Sequence, residues 1–255
     1  YTLVYTLSLH DALPILWSWR LGRSLGIDPL SVTEGKVCSF DCTYCQIGRT
    51  SLLTTERKEY VPVSGIMREL DRVPQQAIDY ITFAGAGEPT LARNLGEMIG
   101  AVRAGRPEKI AVITNSSLLD LNDVRADQSA ADLEVAKLDA SSEEIFQTVN
   151  RPHADISFRS VCEALISFKS AFAGKLALQI MFVKQNRDQA GDIAALVREI
   201  KPDEVQVNAP VRPSGVEPLS RDELDIIVPL FRGFPTFAVY AEPHKKITPI
   251  SPRDT

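Results

Sequence analysis

The chain has 255 residues, of which 44% are hydrophobic and 24% charged, and 28 Lys and Arg against 33 Asp and Glu give a formal charge of −5. This length and composition fit a globular α/β protein and exclude a disordered, collagen-like or coiled-coil chain. No uninterrupted apolar run reaches the roughly 18 residues that a membrane-spanning helix needs, and the mild acidity argues against nucleic-acid binding through net charge.

Residues 1–15 differ from the remainder of the chain because they contain no Lys or Arg, and His10 and Asp11 interrupt their apolar stretch. A secretory signal would need a basic start and a small-residue cleavage site, which this segment lacks. We interpret residues 1–15 as a non-native segment that resembles a translated sequencing adapter, with an amphipathic strand as the alternative. The predicted organisation is then a core domain at residues 16–235 and a C-terminal extension at residues 236–255.

From residue 16 onward, short apolar runs alternate with helical patterns. The predicted strands are residues 32–37, 80–84, 110–114, 133–138, 176–183, 204–208 and 237–240. The predicted helices are residues 64–73, 91–104, 141–149, 157–173, 187–200 and 221–230. Near-continuous apolar strands separated by helices indicate a parallel sheet covered on both faces. About six β/α units are too few for a closed eightfold barrel, so we predict an α/β fold built as a partial (β/α)6 barrel of parallel strands.

Three of the four cysteines fall within eight residues, with the spacing Cys38-x3-Cys42-x2-Cys45, directly after the first predicted strand. Soft thiolates this close on one loop favour an iron–sulfur cluster or zinc. A structural zinc site needs four protein ligands, and the remaining cysteine, Cys162, lies within a predicted helix. A disulfide would leave an odd thiol. The spacing therefore favours a cluster, with zinc and unliganded thiols as alternatives.

The second predicted strand leads into Gly87, Glu88 and Pro89. In β/α barrels the active site lies at the carboxyl ends of the strands. Glycine permits close approach of the backbone to a ligand, and Glu88 can receive an ammonium group. The alternative is an ordinary β-to-α turn with a solvated carboxylate.

Polar side chains also end the later strands: Asn115, Ser116, Lys137, Asp139, Gln179 and Asn208. Such groups can hydrogen-bond a ribose, an adenine edge or a carboxylate. They can equally cap a helix, form a structural ion pair or satisfy core backbone groups. The loops at residues 150–153 and 210–213 carry Arg151, His153 and Arg212, which can hold an anionic substrate or remain solvated charges.

The cysteine motif, with the aromatic Tyr44 before its last cysteine, resembles the signature of the radical S-adenosylmethionine (radical SAM) enzymes. The resemblance implies that Cys38, Cys42 and Cys45 hold a 4Fe–4S cluster whose open iron chelates S-adenosylmethionine. Reductive cleavage of that cofactor gives a 5′-deoxyadenosyl radical that abstracts hydrogen from a substrate. The segment ending at Glu88 is similar to the superfamily's Gly-Gly-Glu motif, which binds the methionine amino group, with Ala86 in place of the first glycine.

The family motifs and the polar strand ends together give the predicted cofactor-binding residues: Tyr44, Gly87, Glu88, Pro89, Asn115, Ser116, Lys137, Asp139, Gln179 and Asn208. Short segments at residues 20–26, 45–50, 87–91, 114–118, 150–153 and 210–213 are similar to a bacterial branch related to the wyosine-forming tRNA enzymes. Those tRNA enzymes carry a second cysteine-bound cluster and a catalytic lysine upstream of the first cluster. Here residues 16–37 contain no cysteine, and Lys36 is their only lysine.

The expected function is therefore a cytoplasmic radical SAM enzyme, without membrane attachment, that acts on an unidentified substrate and receives electrons from a reductant such as flavodoxin or ferredoxin. One alternative is modification of a tRNA base, with Arg20, Arg23, Arg49 and Arg57 as phosphate contacts. Another alternative is a non-catalytic iron–sulfur electron carrier or scaffold. The Glu88 motif argues against a carrier, which needs no open iron.

Overall fold

The computed structural model describes residues 15–31, 35–73 and 77–241. The strands in chain order are β1 (Ile15–Ser18), β2 (Gly22–Ile27), β3 (Val37–Cys38), β4 (Leu52–Leu53), β5 (Tyr80–Phe83), β6 (Lys109–Thr114), β7 (Leu133–Lys137), β8 (Lys175–Met181), β9 (Glu204–Asn208) and β10 (Thr236–Ala238). The helices are α1 (Val63–Leu70), α2 (Leu95–Gly105), α3 (Asn122–Gln128), α4 (Glu143–Val149), α5 (Phe158–Ala171), α6 (Ala190–Ile200) and α7 (Arg221–Ile227). Short 3-10 helices occupy Pro89–Leu91, Arg187–Gln189 and Val228–Phe231.

The main sheet has eight strands in the order β1-β2-β5-β6-β7-β8-β9-β10 and is curled into a half-barrel. β1 runs antiparallel to β2, and the other seven strands are mutually parallel. β3 and β4 form a separate small parallel pair. The predicted α/β fold with a partial parallel barrel is confirmed.

The two faces of the curled sheet differ because successive side chains of a strand point to opposite faces. Ile81, Phe83 and their counterparts on the other strands join the helices in one large hydrophobic core. On the concave face a smaller cluster fills one part of the half-barrel, made of Leu21, Ala111, Leu133, Val135 and Ala177. Polar side chains occupy other positions of the concave face, among them Ser24 and Thr82, whose hydroxyls are 2.7 Å apart.

Six of the predicted strands are present with ends shifted by at most a few residues, but the predicted strand at residues 32–37 is wrong. Residues 32–34 lie outside the described residues, residues 35 and 36 are not in a strand, and Val37 belongs to the small sheet. The first parallel strand of the main sheet is β2. Its sequence, GRSLGI, contains two glycines and an arginine, so it lacks the continuous apolar run that indicates a buried strand.

The predicted helices are present, although two of them begin and one ends as a 3-10 turn. α3 was not predicted, because its sequence NDVRADQ is short and almost entirely polar. Ser157 and Ser220 begin α5 and α7 with capping boxes that satisfy the first free backbone amides.

The predicted adapter-derived segment falls at residues 1–15, of which residues 1–14 lie outside the described residues. Of the predicted C-terminal extension, β10 lies in the main sheet beside β9, and residues 242–255 lie outside the described residues. None of the helices in the described part of the chain is long and apolar enough to cross a bilayer.

Candidate radical SAM site

The three cysteines lie on a segment that starts at the end of β3 and is held by the loop between α4 and α5. The backbone amide of Asp41 donates to the carbonyl of Asn150 at 3.1 Å, and that of His153 donates to the carbonyl of Ser39 at 2.8 Å. These bonds are independent of side-chain identity. The loop at residues 150–153 therefore clamps the cysteine segment through its backbone.

Two buried amide side chains direct their N–H groups at cysteine sulfurs. Asn115 Nδ2 lies 3.6 Å from Cys38 Sγ, and Asn150 Nδ2 lies 3.7 Å from Cys42 Sγ. Asn115 follows β6 and Asn150 follows α4, so the two donors reach the segment from different elements. Donors of this kind stabilise thiolates and tune metal centres that thiolates hold.

Lys36 stands two residues before Cys38, and its ammonium group interacts electrostatically with the cysteines. Lys36 is only 3% exposed. Burial acts to lower its pKa, but the neighbouring cysteines outweigh burial and raise the pKa of Lys36 above its usual value. The positive charge of Lys36 therefore lies beside the cysteines, where it stabilises the thiolate form of their sulfurs.

The thiols themselves are hard to ionise in this environment without a compensating charge. Burial raises the pKa of Cys38 to about 12, with the charge of Lys36 opposing the shift. Burial also raises the pKa of Cys42, and the charge of Lys137 opposes it. A metal centre supplies the positive charge that keeps such thiols deprotonated.

No three His, Cys, Asp or Glu side chains within residues 15–31, 35–73 and 77–241 converge closely enough to chelate a single ion. A tetrahedral zinc site draws its ligands to one point, whereas a cluster accepts each thiolate at a different iron. Three cysteine thiols on one segment, with N–H donors directed at Cys38 and Cys42, fit a cluster better than a structural zinc site, which needs four protein ligands.

Glu88 follows β5 and is only 2% exposed. Its Oε1 accepts from the Thr90 amide at 3.2 Å, the Thr90 hydroxyl at 2.8 Å and the Thr114 hydroxyl at 2.5 Å, and its Oε2 accepts from the Asn115 amide at 2.7 Å. Burial raises the pKa of Glu88, and these hydrogen bonds oppose the shift. The carboxylate joins the ends of β5 and β6, and its direct contact with an ammonium group stays a prediction.

The two glycines of the same turn allow other parts of the chain to lie closer than a side chain would permit. A Cβ on Gly85 would lie 2.1 Å from the Asp28 carboxyl carbon, and a Cβ on Gly87 would lie 1.7 Å from the Val37 carbonyl oxygen. Asp28 in turn accepts from the Ala86 amide at 3.0 Å. The turn therefore needs Gly85 and Gly87, and tolerates Ala86 where the similar motif has glycine. Pro89 follows as the buried first residue of a 3-10 helix.

The polar residues after β6 link that strand to the cysteine segment. Asn115 Nδ2 donates to Ser39 Oγ at 2.8 Å, and Ser39 and Ser117 share a 2.7 Å hydroxyl contact. Ser116 has a φ of +72°, which is uncommon for a residue other than glycine, and its hydroxyl donates to the Lys137 carbonyl at 3.0 Å. Strained backbone of this kind is concentrated at functional sites.

Asp139 is the centre of a buried polar network beyond β7. It accepts from the Tyr44 hydroxyl, from Asn150 Nδ2 at 2.9 Å and from the Met181 amide at 2.7 Å. Lys137 Nζ lies 3.8 Å from Asp139 Oδ2 and 4.6 Å from the centre of the Tyr44 ring. Burial and Asp139 together raise the pKa of Tyr44 well above its usual value. Lys137 and Asp139 thus form the ion pair that was the alternative to cofactor contact, and together they contact Tyr44, the aromatic residue between the last two cysteines; their contact with a cofactor stays a prediction.

A small cavity lies where these groups meet, lined by Asn115, Lys137, Asp139, Asn150 and apolar residues that include Phe40 and Phe146. The side-chain oxygen of Asn150 is buried without a hydrogen-bond partner. A buried polar atom of this kind is expected to have a partner. The site therefore has room for further hydrogen bonds beside the cysteines.

Gln179 and Asn208 lie on the concave face at the neighbouring strands β8 and β9, and they are 3% and 7% exposed. Asn208 Oδ1 accepts from the Ala209 amide at 2.9 Å, whereas Gln179 Nε2 is buried without a partner. Cys162 lies apart on α5, packed against the large hydrophobic core.

Sequence reasoning did not assign Lys36, Asp28 or Asn150 to the site. Lys36 stands two residues before the first cysteine, and this short spacing by itself indicates a positive charge beside the thiolates. Asn150 lies within a segment that was noted for its Arg and His. No local sequence pattern marks Asp28 as a site residue, because its role depends on the turn at Gly85, which is 57 residues away in the chain.

Three of the four arginines considered as phosphate contacts for tRNA are bound to carboxylates. The pairs are Arg23 with Asp79 at 3.6 Å, Arg49 with Asp41 at 3.0 Å, and Arg57 with Asp123 at 2.5 Å and with Asp127. Arg20 has no ion pair among the residues that the structure describes.

The chain is similar to known proteins both in sequence and in fold. A family model described as the radical SAM superfamily matches residues 34–197. The UPF0026 protein slr1464 of Synechocystis is 40% identical over 207 residues, which cover 80% of this chain and 76% of that protein.

Two solved structures share the fold at low identity. Streptococcus suis SuiB bound to S-adenosylmethionine is 14% identical with a TM-score of 0.64, and the match covers 84% of this chain and 50% of SuiB. The chain thus spans about half the length of SuiB. Archaeal TYW1 is 15% identical with a TM-score of 0.56, covering 83% of this chain and 72% of TYW1.

Proposed function

Since the chain belongs to the radical SAM superfamily, we propose that it is an enzyme in which Cys38, Cys42 and Cys45 hold a 4Fe–4S cluster that binds S-adenosylmethionine. When bound and reduced, such a cluster supplies the electron that splits the sulfonium, and the resulting 5′-deoxyadenosyl radical removes hydrogen from a substrate. The observation that carries the proposal is the pair of amide N–H donors directed at the sulfurs of Cys38 and Cys42, with the buried Lys36 charge beside the cysteines.

The residues around the cysteines have distinct proposed roles. Asn115, Asn150 and Lys36 stabilise the thiolates, because donors to sulfur lower the energy of the anionic form. Tyr44 and Asp139 hold the segment between Cys42 and Cys45 in place. Glu88 fixes the turn through Gly87 and Pro89. In this proposal it also contacts the methionine amino group of S-adenosylmethionine directly.

The remaining concave residues are proposed to contact S-adenosylmethionine: Ser116, Lys137, Gln179 and Asn208. Lys137 is the cationic group nearest to Asp139 and suits a carboxylate. The amides suit ribose and adenine edges. A reductant such as flavodoxin or ferredoxin and a cytoplasmic setting complete the proposal.

The test is anaerobic reconstitution with iron and sulfide, followed by reduction in the presence of S-adenosylmethionine. We expect about four irons per chain, as one 4Fe–4S cluster holds, together with formation of 5′-deoxyadenosine and methionine. Cys42→Ala should lose the cluster signal in electron paramagnetic resonance. Cys162→Ala, the matched control on α5, should keep both the cluster and the reaction.

Two results would contradict the proposal at different points. Full iron content in Cys42→Ala would refute the ligand assignment. A full cluster that leaves S-adenosylmethionine intact under reduction would favour the electron-carrier alternative.

A further inference from the structure

Arg57 binds backbone carbonyls of the turn that follows β5. Its side chain is only 9% exposed. Nε donates to the carbonyl of Thr90 at 2.8 Å, and Nη2 donates to the carbonyl of Ala92 at 3.2 Å. The guanidinium also binds two carboxylates of α3, those of Asp123 and Asp127. Because most of its five N–H donors are engaged within the chain, Arg57 supports this region from inside.

The turn needs such support because its 3-10 helix, Pro89–Leu91, has only three residues. A short helix leaves its last carbonyls without partners inside the helix. A neighbouring segment, residues 54–61, binds them from outside. The Lys58 amide donates to the carbonyl of Leu91 at 2.9 Å, between the two carbonyls that Arg57 holds. Three successive carbonyls of the turn are therefore bound by two adjacent residues of this segment.

The same turn fixes one oxygen of Glu88. The Thr90 amide and hydroxyl donate to Oε1 at 3.2 and 2.8 Å, and the Thr114 hydroxyl is a third donor to that oxygen. Among the described residues, Oε2 accepts from the Asn115 amide alone, at 2.7 Å. A carboxylate offers about four acceptor positions. Oε2 is therefore the oxygen that keeps capacity for a further donor.

The segment at residues 54–61 is also attached to the cysteines. Its first amide, that of Thr54, donates to the carbonyl of Cys38 at 3.0 Å, and the preceding residue, Leu53, is in register with Cys38 across β3 and β4. Arg57 follows three residues later. One short stretch of backbone thus joins the cysteine segment to the turn that carries Glu88.

We propose that Arg57 is a positioning residue for S-adenosylmethionine, which acts through Thr90 to hold Glu88 where its Oε2 receives the methionine amino group. Arg57 itself stays out of contact with the cofactor. A binding group must be held within about 0.5 Å of its productive position, and the three-residue helix alone lacks the bonds to do this. The inference rests on the proposed function, because it assumes that the cysteines hold a cluster that binds S-adenosylmethionine.

The test is cleavage of S-adenosylmethionine by the reconstituted and reduced protein, followed as 5′-deoxyadenosine at varied S-adenosylmethionine concentration. We expect Arg57→Gln to raise KM about tenfold, the loss expected for one charge-assisted hydrogen bond. Its kcat should change by less than about twofold, because the carboxylate binds the cofactor equally before and during cleavage.

Arg125→Gln is the matched control. Arg125 lies on α3 and also donates to backbone carbonyls, those of Leu119 and Asp120 at 2.7 and 2.9 Å. Its hydrogen bonds within the described ranges stay on α3 and the loop before it. Arg125→Gln should therefore lower the melting temperature as a lost clamp does and keep the wild-type KM.

Two milder variants keep the inference testable if Arg57→Gln folds poorly. Arg57→Lys retains the charge but loses the planar fork, so KM should rise by a smaller factor. Thr90→Val removes the hydroxyl donor to Glu88 and keeps the carbonyl that Arg57 binds. Their combined effect on KM should be less than the product of the single effects, since both changes act on one carboxylate.

The outcomes separate a positioning role from a purely structural one. Unchanged KM in Arg57→Gln and Arg57→Lys overturns the inference, and so does an equal rise of KM in Arg125→Gln. Loss of iron or of melting temperature at constant KM would also overturn it, because Arg57 would then only clamp the fold. Fully multiplicative effects of Arg57→Lys and Thr90→Val would contradict the action through Thr90.

Failure of the proposed function gives a different result. A wild-type protein with a full cluster that leaves S-adenosylmethionine intact refutes the reaction. Calorimetric binding of S-adenosylmethionine to the unreduced, cluster-loaded protein then still tests Arg57, and Arg57→Gln should raise the dissociation constant about tenfold. Equal dissociation constants for wild type and Arg57→Gln would overturn the inference in that case as well.

Discussion

At the scale of single residues, Glu134 is a buried acid that does not belong to the candidate site. It lies in β7 with 0% exposure, and neither of its carboxylate oxygens has a hydrogen-bond partner in the described part of the chain. Burial raises the pKa of Glu134 well above its usual value, and the charge of Glu88 adds to the shift. The folded state therefore favours the protonated form of Glu134.

This protonation predicts a pH dependence of stability. An unfolded glutamate ionises near pH ~4.3, so above that pH the folded state binds one more proton than the unfolded state. The free energy of unfolding then falls as pH rises towards the raised pKa, by up to about 1.4 kcal/mol per pH unit. Glu134→Gln removes the dependence, and its melting temperature relative to wild type should be higher at pH 8 than at pH 6.

Glu97→Gln is the control, because Glu97 is an exposed acid of α2. It should keep the wild-type pH slope. Parallel slopes for wild type and Glu134→Gln would mean that Glu134 is ionised in the fold.

At the scale of elements, the turn after β5 connects three parts of the site. Its glycines allow contact with Asp28 after β2 and with the Val37 carbonyl of β3, and its carboxylate binds the end of β6. β3 leads directly into Cys38. A change in the turn should therefore reach the cysteines through the backbone.

Gly87→Ala tests this connection. The added methyl group collides with the Val37 carbonyl, and overpacking of this kind destabilises a fold by about 1–3 kcal/mol. We expect a lower melting temperature and fewer irons per chain after reconstitution. Ala86→Gly, which changes the neighbouring position, should cost at most about 1 kcal/mol and keep its iron. Normal iron content in Gly87→Ala would show that β3 moves independently of the turn.

At the scale of the whole molecule, the charge distribution bears on tRNA as a substrate. The net charge is −5, and Arg23, Arg49 and Arg57 are neutralised by carboxylates. Nucleic-acid affinity comes largely from phosphate contacts that release counterions. The described surface therefore lacks the basic patch that the tRNA alternative assumed at these positions.

We expect unmodified tRNA to bind weakly, with a dissociation constant in the non-specific range of about 10⁻⁴ to 10⁻⁶ M and little dependence on Arg49 or Arg57. Filter binding at two salt concentrations, with Arg49→Ala and Arg57→Ala beside wild type, measures this. Tight binding that weakens steeply with salt and is lost in both variants would restore the tRNA alternative.

The sequence by itself determined the order of the strands from β5 onward, the helices other than α3, and the cysteine motif, because hydrophobic periodicity and residue spacing are local properties. It also indicated which strand ends carry polar groups. It failed at β2, where two glycines interrupt the apolar pattern, and at α3, which is too polar to show a periodic face.

Only the tertiary structure decided how those groups are used. Glu88 accepts hydrogen bonds from the end of β6, Arg57 is paired with carboxylates of α3, and Arg20 has no ion pair within the described ranges. Each outcome depends on contacts between residues far apart in the chain, which arise from sheet register and curvature. The motif therefore names the chemistry, while long-range packing decides which side chains remain free to bind.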